Sequence, residues 1–261
     1  MFADFELIYV FAGLAVGFIV GMTGVGGGSL MTPILLHFGI PPTSAVGTDL
    51  LYAAITKGGG VYVHQKKRNI DWRITGWLAA GSVPASFLTL GAMHAIGFDS
   101  EGVNKLIKTS LGFALLFTAL AIAFKGHLKR FSGSESWLSR MRNGQQIAAT
   151  IIVGLVLGVV VTITSIGAGA IGTVALFMLY PLMPTVRLIG TEIAHAVPLT
   201  LVAGLGHAGF GNVDWQLLVT LLLGSLPGIY FGSHMAHRVG DRWLRPVLAT
   251  MLAVVGTRLV F

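Results

Sequence analysis

Eight stretches of the chain are almost continuously apolar and long enough to cross a bilayer: residues 7–20, 45–63, 74–96, 106–124, 147–166, 188–210, 215–233 and 243–261. A transmembrane helix needs about 20 predominantly apolar residues. The strands of an outer-membrane barrel would instead show alternating segments of about 10 residues, and these runs do not alternate. Of 261 residues 54% are hydrophobic and 10% charged, and the mean hydropathy is +0.81; a soluble domain carries roughly 25% charged residues. The expected fold class is all-α, a polytopic helical membrane protein. The first run has no basic leader and no small-residue cleavage site, so it reads as a retained span rather than a signal peptide.

The net charge of +7 and the pI of about 10.0 could in a soluble protein point to nucleic acid. Here the lysines and arginines gather between the apolar runs, the bias of cytoplasmic membrane loops, and no nucleic-acid partner is expected. The chain has no cysteine, which excludes disulfides, thiolate metal sites and thiol redox chemistry. His234 and His237 are too few for a metal site. Neither metal nor cofactor is expected.

The chain is internally duplicated. A shift of 143 residues places Gly24 on Gly167, Gly26 on Gly169, Pro41 on Pro184, "GTD" (47–49) on "GTE" (190–192), His64 on His207, "NIDW" (69–72) on "NVDW" (212–215) and "GSVP" (81–84) on "GSLP" (224–227). The expected organisation is a first membrane repeat over 1–124, a basic cytoplasmic linker over 125–145 and a second membrane repeat over 146–261. Loop charge bears on the orientation of the halves. With four crossings per half, ten lysines and arginines fall inside and six outside; if the chain turns back at each glycine-rich stretch, the tally becomes 13 against 3. The second count predicts two inverted-topology repeats, each of about four full spans plus a Gly-broken or re-entrant segment. Both termini then lie outside and the linker inside.

The glycine-rich stretches are "GMTGVGGGSL" (21–30) and "TSIGAGAIG" (164–172). Non-helical backbone at membrane depth is tolerated only inside protein or along a watery cavity, and paired Gly-interrupted segments in corresponding halves point to a transporter's binding site. A helix restarting after such a break aims free N–H groups at the gap, which suits an anion. The competing reading is close helix packing through small residues. "GAGAIG" (167–172) also matches a dinucleotide fingerprint, but that motif needs a soluble strand–turn–helix around it, and here both flanks are spans. Ser29 and Ser165 invite a hydrolase reading, yet no nucleophile elbow or triad order accompanies them. No enzyme activity and no catalytic residue is expected.

Only two acids, Asp49 and Glu192, are well placed to enter spans, and they are repeat partners. An intramembrane acid marks function by default and can take up or release a proton; alternatively Thr48 or Asp49 caps the span that "GTD" opens. Lys57 lies eight residues beyond Asp49 and either meets an anion, pairs with an acid or snorkels to the inner surface. His195 follows Glu192 by three residues and either relays protons with it or makes a structural hydrogen bond. His64 and His207 are read as interface anchors, Asp71 and Asp214 as N-caps, and Trp72 and Trp215 as part of the aromatic belt.

At these residues the chain resembles a known family. "GMTGVGGGSLMTPIL", "AVGTDLLYAAITKGGGVYVHQKKRNIDWR" and "GTEIAHAVPLTLVAGLGHAGFGNVDW" are similar to the TauE/SafE family of sulfite or organosulfonate exporters and toluene-sulfonate uptake permeases. The resemblance implies a secondary transporter of small sulfur-containing anions in the cell inner membrane, coupled to protons; the expected direction is export and the expected substrate sulfite or a small organosulfonate, and a homodimer is compatible with the chain. Its glycine-rich segments map onto Gly24, Gly26, Gly27 and Gly28, and onto Gly167 and Gly169. Many members carry Thr-Ser where this chain has Thr48-Asp49 and Thr191-Glu192, and two added carboxylates disfavour a bare dianion unless protonated or cation-paired. The expected substrate ligands are Gly24, Gly26, Gly27, Gly28, Ser29, Thr48, Lys57, Gly167, Gly169 and Thr191; the expected proton-coupling residues are Asp49, Glu192 and His195. The other readings are an anion channel of the same fold and a carrier of another small carboxylate or sulfur anion.

Overall fold

The computed structural model describes residues 2–23, 28–97, 101–131, 143–235 and 241–260. They form ten helices and no strand: α1 (Phe2–Thr23), α2 (Gly28–His37), α3 (Pro42–Lys66), α4 (Trp72–Ile96), α5 (Glu101–Phe131), α6 (Asn143–Thr164), α7 (Ala170–Leu179), α8 (Thr185–Gly209), α9 (Trp215–Met235) and α10 (Asp241–Val260). Each of the eight apolar runs falls on one of the long helices. Among the described residues, α4, α5, α6, α8 and α9 contain segments long and apolar enough to cross a membrane. The chain is a polytopic helical membrane protein. The stretch read as a linker begins inside α5, which continues through Phe131, and α6 starts at Asn143; residues 132–142 lie outside the described residues.

Local sequence sets the helix ends. Pro41 precedes α3 with Pro42 in its first turn, and Pro184 precedes α8; proline's fixed φ and missing N–H suit a helix start. The Asp71 carboxylate accepts from the N–H groups of Arg73 and Ile74 and caps α4, and Asp214 accepts from Leu217 N at 2.9 Å. Both N-caps stand as the sequence predicts. The cap reading of Thr48 and Asp49 does not hold: α3 has already run for two turns when it reaches them.

Each half's first helix packs on the other half's fourth, α1 on α9 and α6 on α4. Lipid tails are as apolar as leucine, so close packing rather than exclusion from water holds these pairs together. A Cβ on Gly224 would stand 1.9 Å from Val10 O, and one on Gly81 2.0 Å from Ile151 O, so only glycine allows these backbones to approach. The contacts also correct the repeat alignment. Gly13 faces Leu221 and Gly154 faces Leu78; the leucines are 143 residues apart, but the glycines are 141 apart. The gapless shift of 143 holds from α3 onward, and two residues are absorbed at the break.

Helix directions follow from the same contacts. Gly81 meets Ile151 and Leu155, and Gly158 meets Ser82, so α4 and α6 run parallel. Thr75, Ser82 and Leu90 of α4 meet Thr191, His195 and Gly206 of α8 in that order, so these are parallel too. Hence α6 and α8 run in one direction, and the segment holding α7 brings the chain back between them. Gly204 lies on Leu51 whereas Gly60 lies on Ile193, so α3 and α8 run antiparallel.

Candidate functional site

α3 and α8 pack on each other, and α2 and α7 pack on α3 and α8 respectively. The acid of each long helix packs on the short helix preceding it. In the first half Thr32 of α2 donates to Asp49 Oδ2. In the second, the Glu192 side chain lies over Gly172 of α7, where an added Cβ would come within 3.0 Å of Oε1. Asp49, Glu192 and Lys57 are all buried, three ionisable side chains withdrawn from solvent inside a membrane protein.

The break between α6 and α7 lies against α3. Ser165 takes φ +58, Gly167 +122 and Gly169 +155. The left-handed region is open to glycine and unusual for serine. After Ser165 N, on Val161 O, and Ile166 N, on Thr164 Oγ1, the next amides with an acceptor among the described residues are Gly172 N, on Gly167 O, and Thr173 N, on Gly169 O. The amides of Gly169, Ala170 and Ile171 at the N-terminus of α7 therefore have none among the described residues. Lys57 Nζ reaches from α3 into this break and donates to Ala168 O. The ammonium also interacts electrostatically with both Glu192 and Asp49. The Ser165 hydroxyl lies beside the Asp49 carboxyl without a formed hydrogen bond. Asp49 Oδ1, Glu192 Oε1 and Ser165 Oγ are buried polar atoms without hydrogen-bond partners among the described residues. Buried polar groups are ordinarily satisfied, so this cluster has spare hydrogen-bonding capacity.

The expected ligands divide. Lys57, Asp49, Glu192, Gly167 and Gly169 come together here. The hydroxyls of Thr48 and Thr191 are engaged elsewhere: Thr48 Oγ1 accepts from Asp214 N at 3.0 Å, and Thr191 Oγ1 accepts from Asp71 N at 2.9 Å while donating to Arg187 O. These hydroxyls tie α3 and α8 to the starts of α9 and α4. Gly24, Gly26 and Gly27 lie outside the described residues; Gly28 and Ser29 open α2, and the Ser29 side chain is outside them too. His195 Nε2 pairs with Ser82 Oγ at 2.8 Å rather than with Glu192. His207 is no interface anchor: it is fully buried and its Nε2 bonds Thr162 O at 3.1 Å.

Two residues escape a reading confined to charged groups. Tyr52 stands at the repeat position of His195, is buried, and lies near Ser225 without a formed hydrogen bond, where His195 bonds Ser82. Tyr52 and His195 are 143 residues apart, as are Ser82 and Ser225, and that offset is the signal that finds them. Among the described residues no group of three or more His, Asp or Glu side chains could hold a metal ion.

One end of the molecule differs from the other. Arg187 Nη2 pairs with Asp71 Oδ2 at 3.0 Å, which sets Arg187 beside the basic loop Lys66–Arg68 and Arg73. The equivalent corner, at Thr48 and Asp214, has Ser44 in place of the arginine.

Comparison with known proteins accords with this picture. The family model described as sulfite exporter TauE/SafE matches residues 9–259. The chain is 39% identical over 252 residues to a "probable membrane transporter protein" of Bacillus subtilis (YjnA), covering 96% of this chain and 98% of the relative. It is 26% identical over 249 residues to a second such Bacillus subtilis protein (YdhB), covering 94% and 96%. It is 26% identical over 263 residues to a "probable membrane transporter protein" of Methanocaldococcus jannaschii, covering 93% and 92%. No solved structure matches. With the match running through both halves, the chain belongs to the TauE/SafE sulfite exporter family.

Proposed function

We propose that this chain is a secondary transporter of sulfite or a small organosulfonate, coupled to protons through Asp49 and Glu192, with its site at the glycine breaks. The observation that carries the reading is Lys57. A buried ammonium extends from α3 of one half to the broken backbone of the other and interacts electrostatically with two buried acids. A cation held on a carbonyl oxygen by one hydrogen bond is able to exchange that partner for an anion. The amides of Gly169, Ala170 and Ile171, which have no acceptor among the described residues, and the Ser165 hydroxyl stand at the same break, at the positive end of α7. Thr48 and Thr191 act as struts of the scaffold in this reading.

The repeats are proposed to be inverted. The antiparallel passage of α3 and α8, which are repeat equivalents, supports this, as does the ion pair that sets Arg187 at the end carrying Lys66–Arg73. That end is then cytoplasmic by the positive-inside rule, and the membrane is the plasma membrane. Rocking of one repeat against the other would expose the site to each side in turn.

The test is sulfite flux in proteoliposomes with and without an imposed pH gradient. Saturable wild-type flux that follows the gradient, and loses that dependence in Asp49→Asn, supports the reading. Flux no greater than in empty liposomes removes sulfite, and gradient-driven flux unchanged in both Asp49→Asn and Glu192→Gln removes the coupling role.

A further inference from the structure

The buried charges of the site define what it can carry. Among the described residues, Asp49, Glu192 and Lys57 are the charged side chains enclosed between α3, α8, α2 and the break before α7. The other titratable groups that interact with them are Tyr52, through Asp49, and His195, through Lys57, the latter held on Ser82. Among the described residues of the packing helices, His37, Asp71, Arg73, Glu101, Lys105, Lys108 and Asp214 sit near helix ends. An uncompensated charge at membrane depth costs several kcal/mol, so the states that cross the barrier are those in which the cluster is neutral. With its substrate absent, neutrality requires one carboxyl protonated and one ionised beside the Lys57 ammonium. Addition of a monoanion to Lys57 restores neutrality only if the second carboxyl takes a proton as well. A dianion would leave one negative charge with both carboxyls already protonated.

We infer that the site takes monoanions, the hydrogensulfite ion or a singly charged sulfonate, each moving with one proton and no net charge. This rests on the transporter reading above and names its substrate class and stoichiometry. Wild-type protein in proteoliposomes should accumulate sulfite to the same ratio at zero and at imposed membrane potential, with one internal proton gained per anion. Methanesulfonate should compete and sulfate, at equal concentration, should not. The double variant Asp49→Asn/Glu192→Gln keeps Lys57 as sole charge and is neutral only with a monoanion bound, so anion exchange should persist while net flux falls, and the net flux that remains should be independent of the pH gradient and dependent on potential.

A shift of the wild-type accumulation ratio by about 50-fold per 100 mV, as for one net charge moved, would overturn the inference while leaving a transporter. So would competition by sulfate equal to that of methanesulfonate, or a double variant that still co-transports protons. Absence of flux for every anion would remove the transporter reading itself, and the inference with it.

Discussion

Replacing Lys57 by methionine keeps the length and apolar stem of the side chain and deletes its charge. Asp49 and Glu192 then remain buried without the ammonium that interacts with both, and Ala168 O loses its donor. Removing one partner of a buried charge cluster costs roughly 3–5 kcal/mol, because the charge left behind has neither water nor counter-ion. For a chain of this size 1 kcal/mol corresponds to about 2–4 °C in Tm, so a fall on the order of 6–20 °C is expected. Proton uptake by a carboxyl limits the loss. The deficit should therefore be larger at alkaline than at acid pH. The assay is thermal unfolding in detergent, followed by the fluorescence of the five tryptophans. Lys57→Met/Glu192→Gln should recover more than half of the deficit, since the leftover charge is deleted along with its partner. A Tm for Lys57→Met within about 2 °C of wild type, or a double variant less stable than the single, would refute the idea that Lys57 neutralises the buried acids.

Other outcomes follow from the packing. Gly224→Ala and Gly81→Ala each push a methyl against a facing carbonyl across a helix pair and should lower stability by about 1–3 kcal/mol or more, read as a lower Tm and poorer recovery in detergent. Thr191→Val leaves the Asp71 amide without its acceptor and should cost about 1–3 kcal/mol, whereas Arg187→Gln, which breaks only a solvent-exposed ion pair, should cost at most about 1 kcal/mol. Ser82→Ala strands His195 Nε2 and should cost about 1–3 kcal/mol, with Ser82→Thr restoring part of it. The chain has no native cysteine, so single cysteines report topology directly: Lys67→Cys and Arg187→Cys should label from the cytoplasmic face, and Gly39→Cys and Gly211→Cys from the opposite one. Labelling of Lys67→Cys and Arg187→Cys from different sides would contradict the proposed inversion.

The helices were legible in the sequence because a bilayer demands long apolar runs whatever the tertiary contacts. The N-caps Asp71 and Asp214 were legible because capping is local: the side chain bonds an amide two or three residues away. Contacts between the halves were not. Thr48 and Thr191 lie next to the acids in sequence, yet their hydroxyls serve amides 166 and 120 residues away. His195 shares a helix face with Glu192, but Ser82 from another helix takes its ring nitrogen. His207 sits near a span end, as an interface residue would, and is buried because the start of α3 packs over it. Helical periodicity says which residues share a face but not what covers that face. The repeat does supply some of this: once His195–Ser82 is known, the shift of 143 leads to Tyr52 and Ser225.

Counterflow tests the central claim most directly. Proteoliposomes preloaded with unlabelled sulfite are diluted into a trace of labelled sulfite, and the internal label is followed in time. An alternating-access carrier with Lys57 at its site predicts a transient overshoot of label above equilibrium in wild type and none in Lys57→Met. Monotonic equilibration in wild type would indicate a continuous pore instead, and an undiminished overshoot in Lys57→Met would show that the ammonium at the glycine break does not bind the anion.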